Sequence, residues 1–236
     1  MKLYPTVRGE FETVKQLVAG KSLARLGDGE FAHVLPQTRK RKPGEPPAGA
    51  GRQVLDAMLT GEMWEVLTDP HPNLIVGIPT MDPKGPKCSV KRNGVEQGWV
   101  KHRERYARPL SREVRYYSAF VTRPDSAPWI DTKEFAEEFQ KVWAGKRVAV
   151  VGKPTTKILP LANLAAKEVE HILCPERDAY GIIHELEDAI YRYRPAVALL
   201  SAGPCATVLA HRLCKKGTQA IDMGSAGAFL CRLLDA

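Results

Sequence analysis

The sequence predicts an α/β fold of the Rossmann-like class, with a mostly parallel sheet flanked by helices. From Arg147 onward, short apolar runs alternate with amphipathic segments at the length of βαβ units. The first half shows the same alternation around a Gly-rich acidic stretch. Hydrophobic residues make up 44% and charged residues 26% of the chain, which excludes neither an enzyme nor a binding module. Ligands of such sheets bind at the carboxyl ends of the strands.

In the first half, helices are predicted where apolar residues recur at helical spacing, and strands where they run together. A short apolar run interrupted by Arg25 forms the first expected strand, which ends in an acidic turn. The segment Asp131 to Glu134 has the spacing of a capping box and begins a helix. The other predicted elements are helices over 10–18 and 54–63 and strands over 74–79 and 116–121.

The second half is more regular. It predicts strands over 148–151, 172–174 and 197–200 and a helix over 182–193. The run from Leu200 to Thr207 then passes from a strand through a Gly-Pro turn into a helix. A helix that begins at such a turn offers an anion site without a charged side chain, although a plain βα turn has the same pattern. Lys153, which follows a buried strand, is either a phosphate ligand or a solvated loop lysine.

The 236 residues are expected to form one domain over 1–236, with mobile basic loops near 37–53 and 84–115. The first loop carries five Lys/Arg and one acidic residue, and the second carries ten Lys/Arg and three acidic residues. The two loops together have a charge of +11, so the remaining residues must sum to −3 to give the net charge of +8. The first is interpreted as a mobile loop, either a linker or a lid over an anionic ligand. The second contains Trp99 and Tyr106, which suits nucleic acid contact, although a solvated helix face has the same composition.

Neither a disulfide framework nor a zinc site is indicated by the five cysteines, which include no Cys-x-x-Cys pair. No apolar run reaches membrane-spanning length, and the N-terminus lacks the core of a signal peptide. The sequence therefore predicts a cytoplasmic protein.

The densest chemistry lies in Gly27-Asp28-Gly29-Glu30, where two glycines alternate with two carboxylates. Carboxylates at this spacing can converge on Mg²⁺ or Mn²⁺, whose coordination is normally completed by substrate phosphates and water. The stretch is therefore interpreted as half of a metal–diphosphate site. An ordinary turn is the alternative, because Asp-Gly pairs are common in turns.

The Arg-x-Gly-Asp-Gly-Glu stretch resembles the Asp-x-Glu signature of the GT-D-type glycosyltransferases. A second resemblance lies in Ser-Ala-Gly-Pro-x-Ala-x-Val-Leu-Ala from Ser201, followed by Gly217 and by the segment 220–225, and a weaker one in Ser-Ala-Phe-x-x-Arg-Pro from Ser118. The resemblance implies a GT-D-like fold, a divalent metal and a nucleotide-sugar donor, and a uridine diphosphate (UDP) sugar is the expected one.

Carried over by position, the resemblance assigns Asp28 and Glu30 to the metal and the diphosphate. It implies that Arg25, Gly27 and Gly29 shape that turn. The implied lining of the donor nucleotide pocket comprises Ser201, Gly203, Pro204, Thr207, Asp222 and Gly224.

One departure from the family affects the catalytic base. Some members continue into an acidic tail, whereas here Ser225 to Arg232 contains no acid before Asp235. Asp125 and Asp222, at predicted strand ends, are the candidates from chemistry alone. His33 is a candidate third metal ligand if its segment is helical, and a capping or surface histidine otherwise.

The sequence therefore predicts a metal-dependent glycosyltransferase that moves a sugar from a nucleotide-diphosphate sugar to an acceptor hydroxyl. The acceptor is a glycan or glycoprotein, or a hydroxylated base in DNA bound through the basic loops. Two alternatives stay open: a non-catalytic nucleotide- or nucleic-acid-binding α/β module, and an enzyme similar to sugar-phosphate isomerases.

Overall fold

A computed structural model of the chain describes residues 4–35, 53, 56–80, 103–123 and 127–235. Within these residues, eight strands form one sheet in the order β1-β4-β3-β2-β8-β7-β5-β6, and every neighbouring pair is parallel. The strands are β1 Val7–Arg8, β2 Ser22–Arg25, β3 Leu74–Ile78, β4 Tyr116–Ser118, β5 Arg147–Gly152, β6 Glu168–Leu173, β7 Val197–Ser201 and β8 Gln219–Asp222. The predicted Rossmann-like α/β class is confirmed.

Helices cover both faces of the sheet. They are α1 Glu10–Val18, α2 Asp28–Val34, α3 Ala57–Thr68, α4 Arg103–Ala107, α5 Lys133–Gln140, α6 Ile158–Asn163, α7 Ile183–Tyr193, α8 Pro204–Lys215 and α9 Ala226–Leu233. Short 3₁₀ helices occupy Ala119–Thr122, Pro128–Ile130 and Ala179–Ile182. None of the helices described is long and apolar enough to span a bilayer.

The sheet separates two hydrophobic clusters. Alternate strand residues enter opposite clusters, as Val150 and Val151 do in β5. Trp143 and Phe139 pack on one face with α1, α5, α6 and α9, and α2, α3, α7 and α8 cover the other. Because both faces are covered, the central strands are continuous apolar runs, which is why the sequence identified them.

Four predicted elements differ from the structure. The strand expected over 172–174 runs from Glu168 to Leu173, and the helix expected to begin with a capping box at Asp131 is capped by Thr132. The strand expected over 116–121 ends at Ser118, because the Ser118 hydroxyl accepts a hydrogen bond from the Phe120 N–H at 3.1 Å and begins a 3₁₀ helix. The helix expected over 54–63 runs from Ala57 to Thr68, beginning at the Asp56 cap. The elements β1, α4, α6 and α9 were not predicted, and β1, α4 and α6 have too few residues for a clear period.

His33 lies in the contact between α2 and α3. Its side chain is 5% exposed, and neither ring nitrogen has a hydrogen-bond partner among the described residues. Burial lowers the pKa of His33, and the Asp56 carboxylate opposes that shift. The structure therefore holds His33 neutral inside the helix contact.

A lowered pKa makes the protein lose stability on acidification. Neutral His33 contributes fully to the free energy of unfolding above the pKa that it has in the unfolded chain. This contribution is lost as the pH falls through the lower pKa that it has in the folded protein. We expect His33→Leu to unfold at a similar temperature at pH 7.5 and at a higher temperature than the parent at pH 5. Thermal unfolding by circular dichroism across this range measures the difference, and parallel pH profiles would contradict it.

Candidate functional site

The carboxyl ends of all eight parallel strands lie along one edge of the sheet. β2 neighbours β8, and β7 lies between β8 and β5, so four strand ends that carry predicted site residues are consecutive in the sheet. Arg25, Ser201 and Asp222 are the last residues of β2, β7 and β8, and Lys153 follows β5. The fold therefore collects residues that are far apart in the sequence.

Arg25 and Asp222 form the contact that joins β2 to β8 at this edge. The guanidinium Nη2 lies 3.1 Å from Asp222 Oδ1, and Nε donates to the Asp222 carbonyl at 2.9 Å. Arg25 Nη1 also donates to the Ala119 carbonyl at 3.4 Å. The two side chains are 15% and 3% exposed, so little solvent screens the pair.

Asp222 is held by further donors. Its Oδ1 accepts from the Gly224 N–H at 3.0 Å, and its Oδ2 lies 3.4 Å from the Thr207 hydroxyl oxygen. A carboxylate that is buried and bonded in this way fits a residue that positions Arg25 better than a general base open to an acceptor. Its role as the base stays a prediction.

Gly224 is required where it stands. Its φ is +49°, and a Cβ there would lie 1.9 Å from Arg25 Nη2. Its carbonyl accepts a hydrogen bond from the Ser201 hydroxyl at 2.9 Å. Thus Gly224 lets the guanidinium approach the backbone and also ties β7 to the turn after β8.

Thr207 differs from its predicted role as a pocket residue. It is fully buried, and its hydroxyl donates to the Arg25 carbonyl at 2.8 Å. The side chain therefore fastens α8 to the end of β2 and does not reach the cavity.

The acidic pair lies in a helix and not in the predicted turn. Gly27 caps α2, Asp28 is its first residue, and Glu30 Oε2 accepts from the Gly27 N–H at 2.7 Å. This is the glutamate half of a capping box, and it satisfies an N–H group that the helix itself leaves without a partner. Glycine has no side chain for the other half, so the sequence carried no clear capping signal here.

Burial raises the pKa of Glu30 to about 7, and repulsion from Asp222 adds to the rise. The Arg25 guanidinium and the Gly27 N–H act in the opposite direction. A carboxyl with this pKa exchanges its proton near neutral pH, and a cation placed beside it would favour the ionised form.

The donor chemistry of Asp28 and Glu30 fits a hard divalent cation. Asp28 is exposed and uses Oδ1 for the Gly29 N–H at 3.1 Å, and Glu30 uses Oε2 for Gly27. Each carboxylate keeps a second oxygen outside these two bonds. Two carboxylates are a sufficient protein contribution where phosphates and water complete the coordination.

No third protein ligand stands with this pair. In the described part of the chain, no group of three His, Cys, Asp or Glu side chains is placed to hold a metal ion. The prediction that His33 completes the site is therefore wrong, although its segment is helical. His33 is buried toward Asp56, so it is also neither a cap nor a surface residue.

A cavity of about 440 Å³ opens between the ends of β5, β6, β7 and β8. Of the predicted residues, Lys153, Ser201, Gly203, Pro204 and Gly224 line it. The sequence reasoning missed the rest of its polar lining, which comprises Thr155, Thr156, Lys157, Glu176 and Ser225. The signal for Thr155, Thr156 and Lys157 was the run of hydroxyl and Lys residues directly after the buried strand β5.

The turn at Gly203 faces this cavity, with φ +57° at the cap of α8. Pro204 has no N–H to offer, and the Ala206 N–H donates to the Gly203 carbonyl at 2.9 Å. The attraction of this turn for an anion therefore depends on the positive end of the α8 dipole and on nearby side chains more than on free N–H groups.

Two lysines of the β5–α6 loop stand at the cavity in different states. Lys153 Nζ lies 3.2 Å from Glu176 Oε1, and both side chains are partly exposed. Lys157 is exposed and makes no ion pair with a described residue. Solvent screening weakens the first pair, so either ammonium can turn to an anion in the cavity.

Some predictions fall outside the described residues. Asp125 lies there, as do the basic loop over 37–53 except Gln53 and the part of the second loop before residue 103. Their predicted roles stay predictions.

Comparisons with known proteins agree on one family. The family model described as the glycosyltransferase GT-D fold matches residues 23–228. Among curated proteins, glycosyltransferase GlyD of Streptococcus pneumoniae serotype 4 is 27% identical over 232 residues, which are 92% of this chain and 26% of that protein. The probable glycosyl transferase Gly of Streptococcus gordonii is 23% identical, over 88% of this chain and 30% of that protein. The chain thus spans less than a third of these relatives.

Solved structures show the same fold. One, described as the highly conserved domain of unknown function 1792 with a distinct glycosyltransferase fold, aligns with a TM-score of 0.75 at 22% identity, covering all of this chain and 83% of its own. Another, described as a new glycosyltransferase from Streptococcus sanguinis, aligns with a TM-score of 0.72 at 21% identity, over 98% and 86%. The resemblance noted in the sequence is confirmed, and the chain belongs to the glycosyltransferase GT-D fold family.

Proposed function

We propose that this glycosyltransferase moves a sugar from a nucleotide-diphosphate sugar, with UDP as the nucleotide, to an acceptor hydroxyl. One observation carries the proposal. The Arg25–Asp222 pair joins the acidic pair that follows β2 to a cavity at the ends of β5 to β8. A nucleotide-sugar donor needs a cavity for its nucleoside and, directly beside it, a site for its charged diphosphate. A cytoplasmic location is part of the proposal.

The cavity suits the nucleotide end of the donor. Its volume of about 440 Å³ falls in the range of small-ligand sites. Lys153 and Lys157 provide positive charge, while Ser201 and Thr155 provide hydroxyl groups. The positive end of α8 adds to the attraction for phosphate. We therefore assign the nucleotide to the cavity, with its diphosphate between the Gly203 turn and the acidic pair.

Asp28 and Glu30 would hold a Mn²⁺ or Mg²⁺ ion together with the donor diphosphate. When bound, such an ion supplies a positive charge that stabilises the departing diphosphate. Arg25 keeps the end of β2 fixed beside Asp222, so the acidic pair has a defined place relative to the cavity. Fixed groups of this kind cost no reorganisation at the moment of reaction.

A glycan or glycoprotein is the acceptor that we propose, because the family and its named relatives are glycosyltransferases. A hydroxylated base in DNA is the alternative, and the basic composition of 37–53 and 84–115 supports it.

The direct test incubates the protein with a panel of nucleotide sugars, with and without Mn²⁺, and measures release of the free nucleoside diphosphate. A glycan pool and hydroxymethylated DNA are the two acceptor arms. We expect metal-dependent release from a UDP-sugar, accelerated by the glycan pool. If no donor released its nucleoside diphosphate, the proposal would be rejected. If hydroxymethylated DNA accelerated the release and the glycan pool did not, DNA would be the acceptor instead of a glycan.

Asp28→Asn and Glu30→Gln test the acidic pair with little change in shape. The amide oxygen introduced by Glu30→Gln can still accept from the Gly27 N–H, so the cap of α2 is retained. We expect Mn²⁺-dependent turnover to fall by about a hundredfold or more in each variant, a loss typical of a group that stabilises a leaving group. Asp188→Asn, on the exposed side of α7, is the matched control. If either variant kept the turnover of the parent, the assignment of that residue as a metal ligand would be wrong.

Gly224→Ala tests the connection between the ion pair and the cavity. The added Cβ would displace Arg25 Nη2 and strain a left-handed residue, so the turn after β8 must move. We expect UDP binding, measured by isothermal titration calorimetry, to weaken about tenfold or more, because the loss of one charged contact has this effect. Gly181→Ala is the control, since its Cβ would meet no atom within 4 Å. Equal UDP affinity in both variants would contradict the connection.

A further inference from the structure

A buried carboxylate without a cation stands next to the site. Glu10, the first residue of α1, is 5% exposed, and no Lys or Arg among the described residues pairs with it. Its two oxygens are bonded instead to neutral donors, the Ser118 hydroxyl at 2.6 Å and the Trp129 indole N–H at 2.9 Å. Both oxygens are therefore used in hydrogen bonds, so the carboxylate holds its two donors in fixed places.

One partner of Glu10 leads directly to the ion pair. Ser118 ends β4, and the next residue, Ala119, accepts a hydrogen bond from Arg25 through its carbonyl. Ser118 also accepts from the Phe120 N–H, which fixes the first turn after the strand. Glu10 is therefore hydrogen-bonded to Ser118, and the next residue, Ala119, contacts Arg25.

The other partner is an aromatic ring on the same side. Trp129 lies in the 3₁₀ helix over 128–130, packs partly on the hydrophobic cluster of α1 and α5, and keeps part of its surface accessible. The bond to Glu10 uses its only donor, so the N–H is not available to a ligand. The ring is held at Glu10, which follows β1, and β1 lies on the opposite side of β2 from the strands of the cavity.

We propose that Trp129, oriented by Glu10, is a stacking surface for a pyranose ring of the acceptor. The apolar C–H face of a pyranose packs on an aromatic ring, and a held ring loses little conformational entropy when it binds. The inference rests on the proposed function, because the donor takes the ends of β5 to β8 and of β2, which leaves the ends of β1, β4 and β3 to the acceptor. Glu10 then acts as a positioning residue.

Saturation-transfer difference NMR with a panel of methyl hexopyranosides, in the presence of UDP and Mn²⁺, tests the proposal. The uridine protons report donor-site binding in the same sample. We expect transfer to ring C–H protons of at least one hexoside with the parent protein, and about a tenfold reduction in Trp129→Ala, the size expected for a lost stacking contact. Trp129→Phe should keep most of the signal, because it retains an aromatic face.

Two further variants separate positioning from folding. Glu10→Gln can still accept the indole N–H and should retain the hexoside signal, whereas Glu10→Ala should lower it with the uridine signal unchanged. Trp64→Ala, on the exposed side of α3, is the matched control. Two results would overturn this inference and leave the proposed function standing. One is a uridine signal without any hexoside signal in the parent, and the other is an unchanged hexoside signal in Trp129→Ala. Absence of both signals would reject the proposed function as well.

Discussion

The geometry of the site depends on the ion pair between Arg25 and Asp222. It joins the carboxyl ends of β2 and β8, which also share the register pair Leu23 with Ile221 and the hydrogen bond from the Ala220 N–H to the Ser22 hydroxyl. Removing one partner would leave the other charge buried without compensation, a change that costs about 3–5 kcal/mol. Gly224, Thr207 and Ala119 are all arranged around these two side chains. The acidic pair and the cavity therefore share one support.

This support places two carboxylates of the site in different surroundings. Asp222 is bonded to a guanidinium and to an N–H group. Glu30 follows Arg25 closely in the chain, but burial and the nearby Asp222 charge raise its pKa to about 7. A carboxyl group whose pKa is raised toward neutral pH is more common at functional sites than elsewhere in a protein.

The sequence was sufficient for the fold because both faces of the sheet are covered, so that β3, β5 and β7 are unbroken apolar runs. It was sufficient for the strand-end residues because parallel strands place their carboxyl ends at one edge. It did not predict which of these residues face the ligand. Thr207 has the same position in a turn motif as a pocket residue would, yet its hydroxyl is used by the Arg25 carbonyl. Such a distinction depends on contacts between distant segments, which local patterns do not contain.

The same pairing has a kinetic consequence. Arg25 and Asp222 are 197 positions apart in the chain, so the contact between them closes a very long loop. Contacts of this separation form slowly, because the entropy of closing the loop must be overcome before the contact contributes. We infer that the halves of the sheet order first and that the site is completed when β8 docks beside β2. A ligand that contacts both strands would then slow the separation of β8 from β2. Occupancy of the site would therefore lengthen the lifetime of the folded protein.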